Sequence, residues 1–138
     1  MAALSRVLAD TSILVAIVKP SEPAPDLAVY GTVAVSALTW SELAVGLHSS
    51  TDLAQMRRRL EEYTALRSLF TATVAYDDAC ASAYLKIVSR VAERGGTVKA
   101  RPLDRMIAAT ALAHDLPLVT RNGADFAQLD GLVDVHER

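Results

Sequence analysis

Residues 102–126 read PLDRMIAATALAHDLPLVTRNGADF, and the order of local preferences in that stretch leaves few folds open. Leu103, Met106, Ile107, Ala111 and Leu112 recur at close to 3.6 residues, which predicts an amphipathic helix with Asp104 in its first turn on another side. Pro102 suits that first turn, where its missing N–H has no helical partner to lose. Ala108, Ala109, Ala111 and Ala113 keep the helix surface low, so it can lie close against a sheet. Residues 116–120 (LPLVT) have the length and apolar character of a buried strand, with Pro117 near its start. Asn122-Gly123 turns the chain, and Asp125 falls in the opening of another short helix. Two acids are thereby delivered towards one end of one strand layer.

The rest of the chain repeats this alternation. Residues 6–9 (RVLA) run into Asp10-Thr11-Ser12 and then into residues 13–18 (ILVAIV), closed by Pro20: strand, acid, helix. A loop with Pro20, Pro23 and Pro25, a small helix near residues 26–30, and Gly31 precede a β-branched strand at 32–36. Helices are expected at 38–47, with Glu42 in its first turns, and at 52–69. In the second of these Leu53, Met56, Leu60, Tyr63, Ala65 and Leu66 mark the inward side, and Arg57, Arg58, Arg59, Glu61 and Glu62 the solvated one. A third strand at 71–75 precedes a helix capped by Asp77 or Asp78 and running to Gly95-Gly96. Residues 116–120 are the fourth strand and 132–135 a short fifth. Strands separated by helices of this length imply parallel crossovers, hence an α/β fold with a mostly parallel central sheet of about five strands covered on both faces.

With 138 residues, the expectation is a single domain spanning 1–138. A composition 51% hydrophobic and 22% charged supports a packed core rather than disorder. No apolar run is long enough to span a bilayer and no signal-peptide pattern opens the chain, so the reading is a cytoplasmic protein with no membrane partner. Cys80 is the lone cysteine and reads as a small core residue. A net charge of −2 offers no global field for nucleic acid, so an anionic substrate requires local arginines or a bound metal.

Four acids share one address in this scheme. Asp10 follows the first strand, Glu42 follows the second by a short loop and the start of a helix, Asp104 opens a helix, and Asp125 follows the fourth strand. In open parallel sheets the carboxyl ends of the strands form the ligand crevice. The plain alternative is helix capping, with each acid offsetting orphan N–H groups and the macrodipole; Thr39-Trp40-Ser41-Glu42 even matches a capping box. Capping gives no reason to gather four acids. At about 5 Å each carboxylate pair repels by about 3 kcal/mol at an effective dielectric of about 20. A divalent cation does give a reason, and hard oxygen ligands suit Mg²⁺ or Mn²⁺. Zinc is disfavoured, because Cys80 stands alone and His48, His114 and His136 show no ligand spacing.

The motifs at residues 8–12 (LADTS), 41–43 (SEL), 104–109 (DRMIAA) and 120–126 (TRNGADF), in this order and separation, resemble those of the PIN domain, and in particular of the VapC toxin ribonucleases of bacterial toxin–antitoxin pairs. The resemblance covers nearly the whole chain. It implies a three-layer α/β/α fold and an Mg²⁺-dependent endoribonuclease, with Mn²⁺ as a substitute, active as a homodimer and held inactive by a cognate VapB-type antitoxin. Carried over by position, Asp10, Glu42, Asp104 and Asp125 would be the catalytic, metal-holding quartet. Thr11, Ser12, Thr120 and Asn122 would orient those acids, and Arg105 and Arg121 stand beside them as candidate contacts for RNA phosphates. Transfer RNA and ribosomal RNA are both compatible substrates.

Three rivals remain. One is a catalytically silent PIN-like binding module, against which stands the intact, mutually repelling quartet. A receiver-type phosphoacceptor wants a lysine after the last strands, whereas the final lysine is Lys99. An aspartate-nucleophile phosphatase wants a second acid two residues beyond Asp10, where Ser12 stands. An apolar helix pair across residues 38–66 offers a groove for an antitoxin segment, with Trp40 read as an ordinary core residue.

Overall fold

Side chains alternate across a strand, and here both sets are apolar. In the computed structural model, which describes residues 6–138, β1 (Arg6–Ala9), β2 (Thr32–Ser36), β3 (Thr73–Val74), β4 (Leu118–Thr120) and β5 (Val135–Glu137) form one sheet. The order is β3-β2-β1-β4-β5, and every neighbouring pair is parallel. Leu8, Ala34 and Leu118 belong to one buried cluster, and Val7, Ala9, Val35 and Val119 to another.

The first cluster is closed by α4 (Asp78–Glu93) and α5 (Pro102–Ala113) through Ile87, Val91 and Ile107. The second is closed by α1 (Thr11–Val18), α2 (Ala37–Leu47) and α3 (Leu53–Leu69) through Ile13, Leu14, Trp40 and Leu66. The expected three-layer α/β/α arrangement follows, each buried Leu, Ile or Val contributing about 1.5–3 kcal/mol. In α5, Ile107, Ala108, Ala109, Thr110 and Ala111 are all fully buried in succession, because small side chains let it nest against both the sheet and α4. Trp40 is the core residue expected, its indole N–H donating to Thr73 Oγ1 at 3.0 Å and tying α2 to β3.

Several expectations are corrected. Residues 26–30 hold a turn rather than a helix, closed by the Tyr30 N–H to Leu27 carbonyl bond at 3.1 Å; Pro25 and Gly31 leave room for no more. The third and fifth strands are shorter than read, at Thr73–Val74 and Val135–Glu137. Leu132 and Val133 pack into the core before the fifth strand begins. The apolar stripe of α3 is mostly uncovered: Leu66 is buried, Met56 and Tyr63 half-buried, and Leu53, Leu60 and Ala65 exposed. Among the described residues no helix is long and apolar enough to cross a membrane.

Candidate functional site

Strand β1 lies between β2 and β4, and this is where the sheet changes direction of growth. The first half of the chain builds outwards from β1 on one side and the second half on the other, so the loops after β1 and β4 part and leave a crevice. Asp10 follows the last residue of β1, and Thr120 is the last residue of β4.

Asp10 is the N-cap of α1, its Oδ1 accepting the Ser12 N–H at 3.0 Å together with the Ser12 hydroxyl. The Thr120 hydroxyl donates to its Oδ2 at 2.7 Å. Both oxygens are held and the residue is 4% exposed. Burial pushes the Asp10 carboxyl above its ordinary pKa; the hydrogen bonds from Ser12 and Thr120 pull it back, and the negative charge of Asp104 adds to the rise.

Glu42 is the sixth residue of α2, not a first-turn residue. That helix is capped by Ser36, whose Oγ accepts the Leu38 N–H at 3.1 Å, so the capping-box reading of residues 39–42 does not hold. Glu42 instead accepts the Thr11 hydroxyl through Oε1 at 2.6 Å, and Thr11 Oγ1 lies 3.1 Å from Thr39 Oγ1. Asp104 is the third residue of α5 and Asp125 the third of the 3-10 helix Gly123–Leu129. Burial raises the pKa of Asp104; Arg101 opposes the shift and Asp125 reinforces it.

All four acids line one cleft of about 390 Å³, together with Thr11, Ser12, Val15, Lys19, Glu22, Arg121 and Asn122. Among the described residues, no three of these acids bring carboxylate oxygens within 4.8 Å of one another. Among the described residues, the trio of potential ligands whose atoms all lie within 4.8 Å of one another is Asp77, Cys80 and His114, elsewhere in the fold. The packing of α4 on α5 assembles that trio from residues with no ligand spacing in sequence, and each has a local task. Asp77 caps α4 through the Cys80 N–H at 3.1 Å, His114 ends α5, and buried Cys80 donates to the Ala75 carbonyl at 3.7 Å.

Thr11, Ser12 and Thr120 donate to the carboxylates of Glu42 and Asp10, whereas Asn122 takes part through its backbone, its N–H donating to Thr120 Oγ1 at 3.0 Å. The two candidate phosphate contacts lie in different surroundings. Arg105 is 8% exposed, and its Nη1 donates to the carbonyls of Thr97 and Val98 at 2.6 and 2.9 Å, tying the loop before α5 to that helix. Arg121 lines the cleft, but its guanidinium is engaged with the Arg138 carbonyl at 2.9 Å and with the Pro23 carbonyl. The cations missed in the sequence are Lys19 on the cleft wall and Arg101, whose Nη1 lies 2.7 Å from Asp125 Oδ2 and 3.6 Å from Asp104 Oδ2. Arg101 stands just before α5 with a left-handed backbone, so its approach to Asp104 comes from the loop conformation and not from helical spacing.

The donor set is carboxylate oxygen, which fits a hard divalent cation, and such an ion can keep part of its water shell so that not every acid need reach it. Asp10 and Glu42, each fixed by a hydroxyl donor, would hold it, with Asp104 and Asp125 as the other carboxylates of the same cleft.

Comparison with known proteins places this geometry. A model of the PIN domain family matches residues 7–132. The chain is 27% identical over 123 residues to a protein named Ribonuclease VapC1 from Rickettsia felis, covering 89% of this chain and 90% of the relative. In three dimensions it is similar to a member of the VapBC family of toxin–antitoxin systems, VapBC-5 from Mycobacterium tuberculosis, at a TM-score of 0.77 and 28% identity, covering 96% of this chain and 97% of the other. FitAcB from Neisseria gonorrhoeae superimposes at a TM-score of 0.74 and 26% identity, over 94% and 95% of the two chains.

Proposed function

This chain belongs to the PIN domain family, and we propose that it is a divalent-metal-dependent endoribonuclease acting as the toxin of a VapBC-type toxin–antitoxin pair. The observation that carries this reading is the convergence of Asp10, Glu42, Asp104 and Asp125 on one cleft at the switch point of a parallel sheet, with hydroxyl donors fixing the first two. Mg²⁺ is the ion proposed, with Mn²⁺ as a substitute; when bound it would acidify a water and offset charge developing on a phosphoryl group.

The chain's own residues define the rest. Ser12 and Thr120 fix both oxygens of Asp10, so that carboxylate meets the cation without first losing rotational freedom. Thr11 does the same for one oxygen of Glu42. No histidine is among the residues lining the cleft, so the ribose 2′-hydroxyl has no imidazole base there. We therefore assign the attack to water: a new O–P bond forms, the P–O3′ bond breaks, and the products are a 5′-phosphate and a 3′-hydroxyl. Transfer or ribosomal RNA is the substrate class proposed, and a homodimer the active form.

An antitoxin segment is proposed to occupy the apolar groove of about 440 Å³ between α1, α2 and α3, lined by Val15, Val18, Leu43, Leu47 and Tyr63 with Arg58, Arg59 and Glu62 at its polar side. Val45, Leu53 and Leu60 stay exposed on the same two helices, α2 and α3.

The test is cleavage of purified total cellular RNA by the isolated protein with Mg²⁺ or Mn²⁺, with EDTA, and with Asp10→Asn prepared identically. Discrete metal-dependent fragments absent from the variant are expected. Cyclic phosphate termini would rule out attack by water, and no cleavage by antitoxin-free protein with cation binding intact would reduce the cleft to a binding site.

A further inference from the structure

The carboxylate cleft carries a positive charge of its own. One nitrogen of Arg101 spans two acids from different elements, at 2.7 Å from Asp125 and 3.6 Å from Asp104. Starting a helix does not require this. Arg101 is the N-cap of α5 yet makes no side-chain capping bond. Its backbone is left-handed, with φ 50° and ψ 53°, a conformation disfavoured for any residue with a Cβ and again disfavoured directly before a proline.

Such a conformation persists where the surroundings over-determine it. Here the buried Arg105 guanidinium clamps the carbonyls of Thr97 and Val98, and the Arg105 N–H donates to the Arg101 carbonyl at 3.1 Å. One arginine thus fixes the loop that presents the other. The Arg101 side chain itself is half-exposed, so leaving the acids returns it to water at little desolvation cost.

We propose that Arg101 is a built-in counter-cation that competes with a divalent cation for Asp125 and Asp104 and is displaced when the cation loads. This inference rests on the reading of the cleft as a divalent-cation site. With the guanidinium docked, an entering cation must break a charge-assisted bond before it gains those two acids, so its apparent affinity is the intrinsic one multiplied by the fraction of molecules in which Arg101 has left. Loading then requires a higher cation concentration than the four carboxylates alone would, and it releases a guanidinium beside the cleft.

The test is Mn²⁺ titration of the wild type, Arg101→Gln, Arg101→Lys and Asp10→Asn, with free Mn²⁺ read by electron paramagnetic resonance and thermal unfolding followed with and without the ion. Arg101→Gln is expected to bind Mn²⁺ about three- to tenfold more tightly than wild type, with Arg101→Lys in between. Its Tm is also expected to rise more on adding Mn²⁺ than the wild-type Tm does, whereas a purely structural arginine would lower both curves equally. Arg101→Gly, which suits the left-handed backbone, carries the same comparison if the glutamine variant does not fold. Unchanged or weaker Mn²⁺ affinity in a folded variant overturns the proposal. If binding is lost in Asp10→Asn but indifferent to Arg101, the inference alone falls; if neither the wild type nor the Arg101 variants bind, the cation reading of the cleft falls with it.

Discussion

The hydroxyl of Thr120 donates to Asp10 Oδ2 at 2.7 Å, joining the ends of β4 and β1 across 110 residues of sequence. Thr120 Oγ1 in turn accepts the Asn122 N–H at 3.0 Å, so one side chain fixes both the acid and the turn leading to Asp125. Thr120→Val keeps the shape and removes both functions. It is expected to cost about 1–3 kcal/mol in urea unfolding, because a buried acceptor and a backbone donor lose their partner. Thr120→Ser should recover most of that loss.

Glu42 separates the capping reading from the functional one. Capping would make Glu42→Ala cost about 0.5–2 kcal/mol, whereas Gln caps as Glu does. Since Ser36 caps α2, the alanine variant is instead expected to unfold within about 0.5 kcal/mol of wild type while losing metal-dependent RNA cleavage. A clear drop in stability with activity retained would restore the capping assignment.

Asp10→Asn has a pH signature. Burial holds the folded-state pKa of Asp10 above its unfolded value of 3.8. Ionised Asp10 therefore penalises the folded state in full above the folded pKa, and the penalty vanishes once the carboxyl is protonated in both states. Without added metal, the asparagine variant should be more stable than wild type at neutral pH, and the difference should shrink as the pH falls through the folded pKa towards 3.8. Unfolding curves across that range read the sign directly. Cleavage should fall by more than about 100-fold in the same variant, since a proposed metal-holding oxygen is lost.

For Arg105 the expected loss is stability rather than RNA affinity. Arg105→Leu removes two charge-assisted bonds to Thr97 and Val98, and a cost of about 1.5–3 kcal/mol is expected from chemical denaturation. The salt dependence of RNA binding by the folded fraction should not change, as this guanidinium is buried and bonded to two backbone carbonyls.

Leu47 lines the apolar groove and Met56 does not. Leu47→Asp is accordingly expected to weaken a co-expressed antitoxin by more than about tenfold in calorimetry, and Met56→Asp by much less. Equal effects in two folded variants would move the proposed interface off the groove.

Much of the architecture is legible in the sequence because the signals are local. Adjacent apolar residues such as Val7 and Leu8, or Leu118 and Val119, can only serve a sheet covered on both faces. The candidate acids are legible as positions, Asp10, Asp104 and Asp125 next to a strand end or helix start and Glu42 further along its helix. Their bracing is less so, since the Asp10–Thr120 bond is made by the strand order and not by any spacing. The arginines around Asp104 show where local reading stops. Arg105, the next residue, projects about 100° away round the helix and is buried against the preceding loop; Arg101, outside the helix in a left-handed conformation, meets Asp104 through a loop turn that no periodicity marks. In α3 the period correctly marks an apolar stripe, but periodicity does not say whether this chain covers it. Leu53 and Leu60 stay exposed.

The uneven wrapping of the helices bears on how the molecule comes apart. Asp104 rides on α5, whose middle is buried on every side, whereas Glu42 rides on α2, where only Thr39 and Trp40 are buried, beside an α3 anchored by Leu66. Amide hydrogens of α5 should then exchange only through global unfolding, and those of α2 and α3 through a cheaper partial opening. In that opening the cleft loses Glu42 while Asp10, Asp104 and Asp125 stay on the intact remainder, so the protein reaches an inactive but still largely folded form before it denatures.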